Sequence, residues 1–397
     1  MIQSPRVILI VLDGAGIGEL PDAEKYGDKN TNTIGNTARK VGGLHLPVLQ
    51  KMGLGNLTNI KGVSPKKNSI ASFGKAKEIS AGKDSTSGHW ELMGLQTSSP
   101  FPSYPDGFPE KIIEQFIDKT GCEDVLGNKA ASGTTIINEL GEKHLKTPYP
   151  IIYTSADSVF QVAAHEDVIS VDKLYEMCRI ARNEILVGEH SVGRVIARPF
   201  LGDKNGNFER TPRRKDFSVD PPQDTLLDNL FDIGIPVTGI GKIEDLFNNR
   251  GMTYSNHTQH NPEAIKVLIN TMDSVRKGFI FVNLPDFDTA WGHRNDYENF
   301  AKGLEQFDSD ISDIIEKMYR NDILIVTADH GCDPTTQGTD HTREYIPILI
   351  YGPPINSGLN IGVRDSFSDI GATIADIFDV KTNIAGKSFW EDIALSV

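Results

Sequence analysis

Asp322-Ile-Leu-Ile-Val-Thr-Ala-Asp329-His330-Gly331 is the stretch from which the fold is read. Its apolar run has no polar alternation, the pattern of a parallel strand buried on both faces. It leads directly to a carboxylate and an imidazole, and in open α/β sheets ligands sit at the C-terminal ends of the strands. The same construction occurs twice more. Gly278-Phe-Ile-Phe-Val-Asn-Leu284 leads to Asp288 and His293, and Val7-Ile-Leu-Ile-Val-Leu12 leads to Asp13-Gly14. His341 follows His330 after eleven residues. A single Asp at a strand end is commonly a helix cap or a turn residue. Asp13, Asp288 and Asp329 together with His293, His330 and His341 form a mixed oxygen and nitrogen set. Such a set suits two adjacent divalent cations such as Mn2+, Zn2+ or Mg2+. Two-cation sites in turn suit phosphoryl transfer.

Around these strands the α/β rhythm is regular. Helices are expected at 223–232, 262–276, 296–319 and 367–378, and strands at 6–12, 235–240, 278–284, 322–327 and 346–351. Strands alternating with helices predict a mainly parallel sheet flanked by helices on both faces. Residues 14–82 read as loop-rich around short helices. The Pro-rich run Ser98–Pro109 and the Asp220-Pro-Pro segment bracket a region of different texture. That region holds a helix from Glu110 to Lys119, a strand at Ile151-Ile-Tyr153 and an amphipathic helix from Val171 to Ile185. It also holds Val192–Arg198, whose polar alternation predicts an antiparallel, half-exposed strand. A chain of 397 residues exceeds one ordinary core. The expectation is therefore an α/β core of residues 1–99 and 219–397, interrupted by a smaller α+β domain of residues 100–218.

A second motif is Ala81-Gly-Lys-Asp84-Ser85-Thr86-Ser87-Gly88-His89-Trp90-Glu91. Three consecutive hydroxyls between an acid and a glycine suit a nucleophile loop, because a bound metal can lower the effective pKa of a hydroxyl. Such residues also cap helices, and spacing alone does not choose among Ser85, Thr86 and Ser87. Gly14-Ala-Gly16-Ile-Gly18 falls one residue short of a dinucleotide fingerprint, and Asp13 would set a negative charge beside a pyrophosphate. These glycines read instead as room for backbone near the metals. Lys242, directly after a strand, and Arg343, two residues past His341, stand where an anion would be gripped. Arg194 and Arg198 lie on the inserted domain's strand. Cys332 follows the Asp329-His330-Gly331 run, either as a soft ligand or as a small buried packing residue. The remaining histidines at 45, 144, 165, 190, 257 and 260 show no ligand spacing.

Composition narrows the classes of partner. The formal net charge is −14 with no basic tract, which argues against nucleic acid and anionic membranes. A phosphorylated substrate would then depend on metals and a few placed cations. Three scattered cysteines without a CxxC pair fit a reducing compartment. Neither a signal-peptide pattern nor a membrane-length apolar run is visible. The expectation is a soluble cytoplasmic protein acting as a monomer.

The strand-end Asp13, the Asp288–His293 run, Asp329-His330-Gly331 and His341 together resemble the alkaline phosphatase superfamily over residues 1–99 and 219–397. Four longer runs narrow the resemblance. Gly82-Lys-Asp-Ser-Thr-Ser-Gly-His-Trp-Glu91, Tyr153-Thr-Ser-Ala-Asp157-Ser158, Gly193-Arg-Val-Ile-Ala-Arg-Pro-Phe200 and Gly338-Thr-Asp-His-Thr-Arg-Glu-Tyr345 are similar to the bacterial type of phosphopentomutase. This likeness takes in the inserted domain and covers nearly the whole chain. It implies an alkaline-phosphatase-like core with a cap, and an isomerase that moves phosphate between positions 1 and 5 of ribose or 2-deoxyribose. It implies two Mn2+ ions, a phosphoenzyme, a pentose 1,5-bisphosphate intermediate and a sugar bisphosphate as activator. The family carries a phosphorylated threonine directly after Gly-Lys-Asp. Here that position is Ser85, with Thr86 as the alternative. By the same resemblance Asp13, Asp329, His330 and Ser85 would hold one metal, and Asp288, His293 and His341 the other. Asp157 would meet the sugar hydroxyls and Arg194 the distal phosphate, with Lys242 and Arg343 assisting.

Overall fold

The computed structural model describes residues 5–155, 158–203 and 206–395. It divides into two compact units, residues 1–100 with 221–397, and residues 101–220. The strands in chain order are β1 (Arg6–Leu12) and β2 (Ser72–Ala76) in the first unit. In the second are β3 (Leu126–Ala130), β4 (Ile151–Thr154), β5 (Val159–His165), β6 (Arg194–Leu201), β7 (Glu209–Arg210) and β8 (Lys215–Ser218). Back in the first are β9 (Val237–Ile240), β10 (Tyr254–Asn256), β11 (Gly278–Leu284), β12 (Asp322–Thr327), β13 (Ile346–Tyr351) and β14 (Asn360–Arg364).

The first unit is built on an eight-stranded sheet in the order β10-β9-β11-β1-β12-β13-β2-β14. The pairings are parallel from β10 to β12 and between β2 and β14; only β13 runs antiparallel to both its neighbours. The three apolar runs singled out by the sequence are the central strands. Every residue of β1, β11 and β12 is buried, as strands covered on both faces require. Their register sets Val11 opposite both Asn283 and Thr327. The chain therefore leaves all three strands at one level, and Asp13, Asp288 and Asp329 follow at the same sheet edge. At the opposite edge Arg6 is fully buried. It pairs with Asp322 and donates to the carbonyls of Met272 and Val275, both at 2.6 Å. The starts of β1 and β12 are thereby tied to the Asn261–Ser274 helix.

Long helices begin and end where local chemistry directs. Pro262 occupies the first turn of the Asn261–Ser274 helix, and Asp296 caps the Tyr297–Glu316 helix by accepting from Asn299 N. The latter buries Phe300, Leu304, Phe307, Ile311 and Ile314 at helical spacing.

The second unit has its own sheet, β3-β4-β5-β6-β7, with β8 also paired to β6. Alternation sends Phe160 and Val162 of β5 and Val195 and Ala197 of β6 into one core with the Glu110–Thr120 and Val171–Ile180 helices. Ile151 and Tyr153 of β4 and Ala163 of β5 pack against the Gly133–Lys146 helix. The strand expected to be antiparallel and half-exposed is β6. It runs parallel to β5 and antiparallel to β7 and β8, and most of it is buried. Its two arginines gave the sequence a polar alternation, although both are partly covered. Among the described residues no helix is long and apolar enough to cross a membrane.

Candidate active site

Asp13 lies just past β1. Gly14 follows with φ of +79°, a conformation that favours glycine, and its N–H donates to Asp329 Oδ1 at 2.9 Å. Asp288 lies in the tight turn Phe287–Trp291 after β11, and His293 in the short turn after that. Asp329 and His330 follow β12. Gly331 pairs with Thr342 as an isolated bridge, which brings His341 back beside His330, with ring centroids 4.0 Å apart. Glycine is required at 331 for closeness: a Cβ there would lie 2.5 Å from Thr342 Oγ1.

The six predicted ligand residues converge. Possible ligand atoms of Asp13, Asp329 and His330 lie within 4.8 Å of one another, and so do those of Asp288, His330 and His341. His293 Nε2 is 3.2 Å and His341 Nε2 3.1 Å from Asp288 Oδ1. The ring Nδ1 of His293 donates to the Thr339 carbonyl at 2.6 Å, and that of His330 to the Gly331 carbonyl at 3.0 Å. Each hydrogen bond fixes the ring so that Nε2 faces the carboxylates, the orientation expected of metal-ligating imidazoles. Asp288 Oδ1 and Asp329 Oδ2 are buried without a hydrogen-bond partner. Buried carboxylate oxygens are rarely left this way, and a divalent cation fits both the orphaned atoms and the donor set.

The electrostatics carry the same signature. Burial pushes the Asp13 carboxyl up, but Lys242 and His330 outweigh it and hold the group well below the usual carboxylate range. Asp288 behaves likewise, with His341 and His293 outweighing its burial. Burial lowers the His330 imidazole, yet Asp329 and Asp13 raise it well above its ordinary value. Lys242 Nζ stands 2.9 Å from Asp13 and 3.9 Å from Asp288. It therefore adds positive charge directly at the carboxylates.

The three hydroxyls are told apart by the Ser85–Leu92 helix, which Asp84 caps by accepting from Ser87 N. Ser85 Oγ is 3.2 Å from Asp13 Oδ1 and 3.1 Å from His330 Nε2. Ser87 Oγ donates instead to Asp84 at 2.7 Å. Thr86 is buried. Ser85 is thus the hydroxyl that meets the ligand set.

Arg343 was expected to grip an anion, and its surroundings assign it other work. Its guanidinium is buried and donates to Glu78 Oε2 at 2.7 Å and to the carbonyls of Glu78, Ser80 and Gly82, with Asp22 alongside. These partners occupy the donors a phosphate would need. Arg343 instead fastens the segment leading to Ser85 onto the loop that carries His341. Arg194 lies in the second unit, with Nη1 3.6 Å from Asp216 Oδ2. Asp157 lies outside the described residues.

Two contributors were missed by sequence reasoning. His89 is fully buried, with Nδ1 3.0 Å from Asp329 Oδ2 and 2.9 Å from the Ser85 carbonyl. Asn283 Nδ2 donates to Asp13 Oδ2 at 3.1 Å. A signal existed for His89, since helical spacing sets residue 89 one turn below residue 85. Asn283 was hidden inside its apolar strand.

This arrangement of acids and imidazoles is of the class that metalloenzymes use to hold divalent cations. Residues 5–382 match the Metalloenzyme superfamily profile. The chain covers 100% of its length in an alignment with the crystal structure of Leishmania mexicana phosphoglycerate mutase, which is covered over 98%, at 13% identity and a TM-score of 0.50, a likeness of fold. The core is the alkaline-phosphatase-like one expected. At closer range, the chain is 56% identical to a phosphopentomutase of Caldanaerobacter subterraneus subsp. tengcongensis, over 99% of both chains. It is 57% identical to a phosphopentomutase of Dictyoglomus thermophilum, over 98% of both. The chain belongs to the phosphopentomutase family, whose members are isomerases.

Proposed function

We propose that this chain interconverts ribose 1-phosphate, or its 2-deoxy analogue, with ribose 5-phosphate, through a phosphorylated Ser85 and a pentose 1,5-bisphosphate. The observation that carries the reading is Ser85 Oγ, held 3.2 Å from Asp13 and 3.1 Å from His330 in a chain of this family. The phosphoryl group leaves Ser85 Oγ for the free terminal hydroxyl of the sugar monophosphate. The P–O bond to serine breaks as the P–O bond to sugar forms. The bisphosphate then presents its other phosphate, the transfer runs in reverse, and Ser85 is phosphorylated again. Asp13, Asp329 and His330, with Ser85, would hold one divalent cation, and Asp288, His293 and His341 a second; Mn2+ is the ion proposed. When bound, such cations neutralise charge on the transferring phosphoryl oxygens and favour the alkoxide character of the serine.

The protein supplies the rest. His293 and His330 are oriented by backbone carbonyls, Lys242 adds charge beside Asp13, and Arg343 steadies the nucleophile segment. In this reading the inserted unit provides substrate recognition, Asp157 toward the sugar hydroxyls and Arg194 toward the distal phosphate. A sugar bisphosphate serves to restore a lost phosphoserine. Water must be kept from the phosphoserine, because hydrolysis would turn the isomerase into a phosphatase. A cytoplasmic monomer is the form proposed.

The test pairs products with mapping. Manganese-loaded protein given ribose 1-phosphate is expected to yield ribose 5-phosphate; free phosphate as the main product rejects the isomerase. After treatment with a pentose 1,5-bisphosphate, the peptide spanning residues 82–91 should carry its phosphate on Ser85. Ser85→Ala should lose label and turnover, and Thr86→Ala should keep both. A label on Thr86 overturns the assignment.

A further inference from the structure

Cys332 takes no part in the chemistry above, yet it stands against the ligand set. Its Sγ, a carboxylate oxygen of Asp288 and a ring nitrogen of His293 all lie within 4.8 Å of one another. The thiol side chain is 1% exposed. Two glycines admit it: a Cβ on Gly14 would fall 2.9 Å from Cys332 Cβ, and one on Gly292 would fall 2.5 Å from Sγ. Any larger residue at either position would displace the sulfur from the Asp288 turn. The second observation is Asp288 itself, a buried carboxylate whose Oδ1 lacks a hydrogen-bond partner. His293 spends Nδ1 on the Thr339 carbonyl, which leaves Nε2 as its ligating atom.

We propose that Asp288, His293 and Cys332 form a soft cation site that binds a thiophilic divalent ion, Zn2+ or Cd2+, in competition with the hard ion of the catalytic pair. The inference rests on the metal-dependent reading of the site, and goes beyond it by giving the second position two alternative ligand sets. Asp288 and His293 are common to both: with His341 they offer only oxygen and nitrogen, and with Cys332 they offer sulfur as well. Oxygen and nitrogen ligands suit Mn2+, whereas thiolate selects zinc and its heavier congener. At Zn–S and Zn–N bond lengths of about 2.3 and 2.1 Å, two ligands of one tetrahedral ion stand roughly 3.5 Å apart. Three atoms no farther than 4.8 Å from one another need only about 1 Å of closure. As the sulfur–metal bond forms, the thiol proton leaves to the buffer, so the exchange is balanced without an oxidant or co-reactant. Occupation of the soft set draws Asp288 away from His341, so the two ions exclude one another there.

The test uses the full metal-free chain, with Cd2+ as probe and ultraviolet absorption as readout. The wild type should develop an intense thiolate-to-cadmium charge-transfer band on addition of the first equivalents. Cys332→Ser and Cys332→Ala should lose that band, although Cys122 and Cys178 remain, and both variants should still take up Mn2+ by electron paramagnetic resonance. Zinc should displace Mn2+ from the wild type at roughly tenfold lower concentration than from Cys332→Ser, following the thiolate preference. A band that persists in both variants, or that never forms in the wild type while Mn2+ binds normally, overturns the proposal. Failure of the wild type to bind Mn2+ at all strikes the metal-dependent function itself, and is read independently of the sulfur band.

Discussion

His330 carries the charge balance of the site. Its Nδ1 is committed to a carbonyl, and its Nε2 stands 3.4 Å from Asp13 Oδ1 and from Asp329 Oδ2. Burial lowers the imidazole, but the Asp329 and Asp13 carboxylates facing it outweigh that and hold it well above its usual value. The sign follows. The proton on His330 favours the metal-free fold fully below pH 6.5, the ordinary imidazole value, and that contribution fades as pH rises through the elevated one. Ligation requires the neutral ring, so metal uptake near pH 7 should expel about one proton. Titration calorimetry in buffers of different ionisation enthalpy measures this directly, and affinity should climb with pH until His330 is neutral unaided. Uptake with no proton release would place His330 outside the ligand set. Asn283 acts one step back, through its 3.1 Å hydrogen bond to Asp13. Asn283→Ala should weaken Mn2+ binding by about 10- to 100-fold, as loss of a partner behind a ligand does. An unchanged dissociation constant would make Asn283 a packing residue only.

At the scale of elements, the Ser85–Leu92 helix is positioned by its neighbours rather than by its own pattern. It is almost wholly buried beyond its first residue, so no amphipathic stripe marks it in the sequence. Gly88 lets it press on the Asp329 loop: a Cβ there would lie 2.1 Å from the Asp329 carbonyl oxygen. Gly88→Ala should therefore lower stability by about 1–3 kcal/mol, the usual cost of overpacking, seen as an earlier urea midpoint. Mn2+ affinity should fall with it, because the shift is passed to a ligand. If affinity holds while stability drops, the helix and the metal loop are less tightly coupled than the contact implies. The central strands were legible because burial on both faces leaves an unbroken apolar run. The edge strands β10 and β14 were not, since exposed residues such as Tyr254 and Val363 carry no such run. The surroundings of Arg343 are hidden for a related reason. Its place beside His341 was correct, but sequence does not show that Glu78 and Asp22 use up its donors.

For the molecule as a whole, all the expected metal ligands belong to the first unit. At a hundredfold excess of Mn2+ over its dissociation constant, binding should stabilise the folded state by about 2.7 kcal/mol. Hydrogen exchange locates that gain. Protection should rise in segments 13–18, 85–92, 286–293 and 329–343, and a chelator should reverse it. Strands β3 to β5 of the second unit should exchange at their metal-free rate. Protection spread evenly over both units, or absent from the first, would count against the assigned ligands.

By itself the sequence determined the three apolar strands, the acids and imidazoles at their ends, and the segment that holds the proposed nucleophile. These are local facts, written in hydrophobic period and residue type. Only the tertiary structure decided which of three adjacent hydroxyls faces the acids, that Arg343 is a tie, and that His89, Asn283 and Cys332 stand beside the ligands. Each depends on a distance between residues tens to hundreds of positions apart. Such distances come from strand register and from the close approaches that glycine allows, and neither is recorded in the order of residues along the chain.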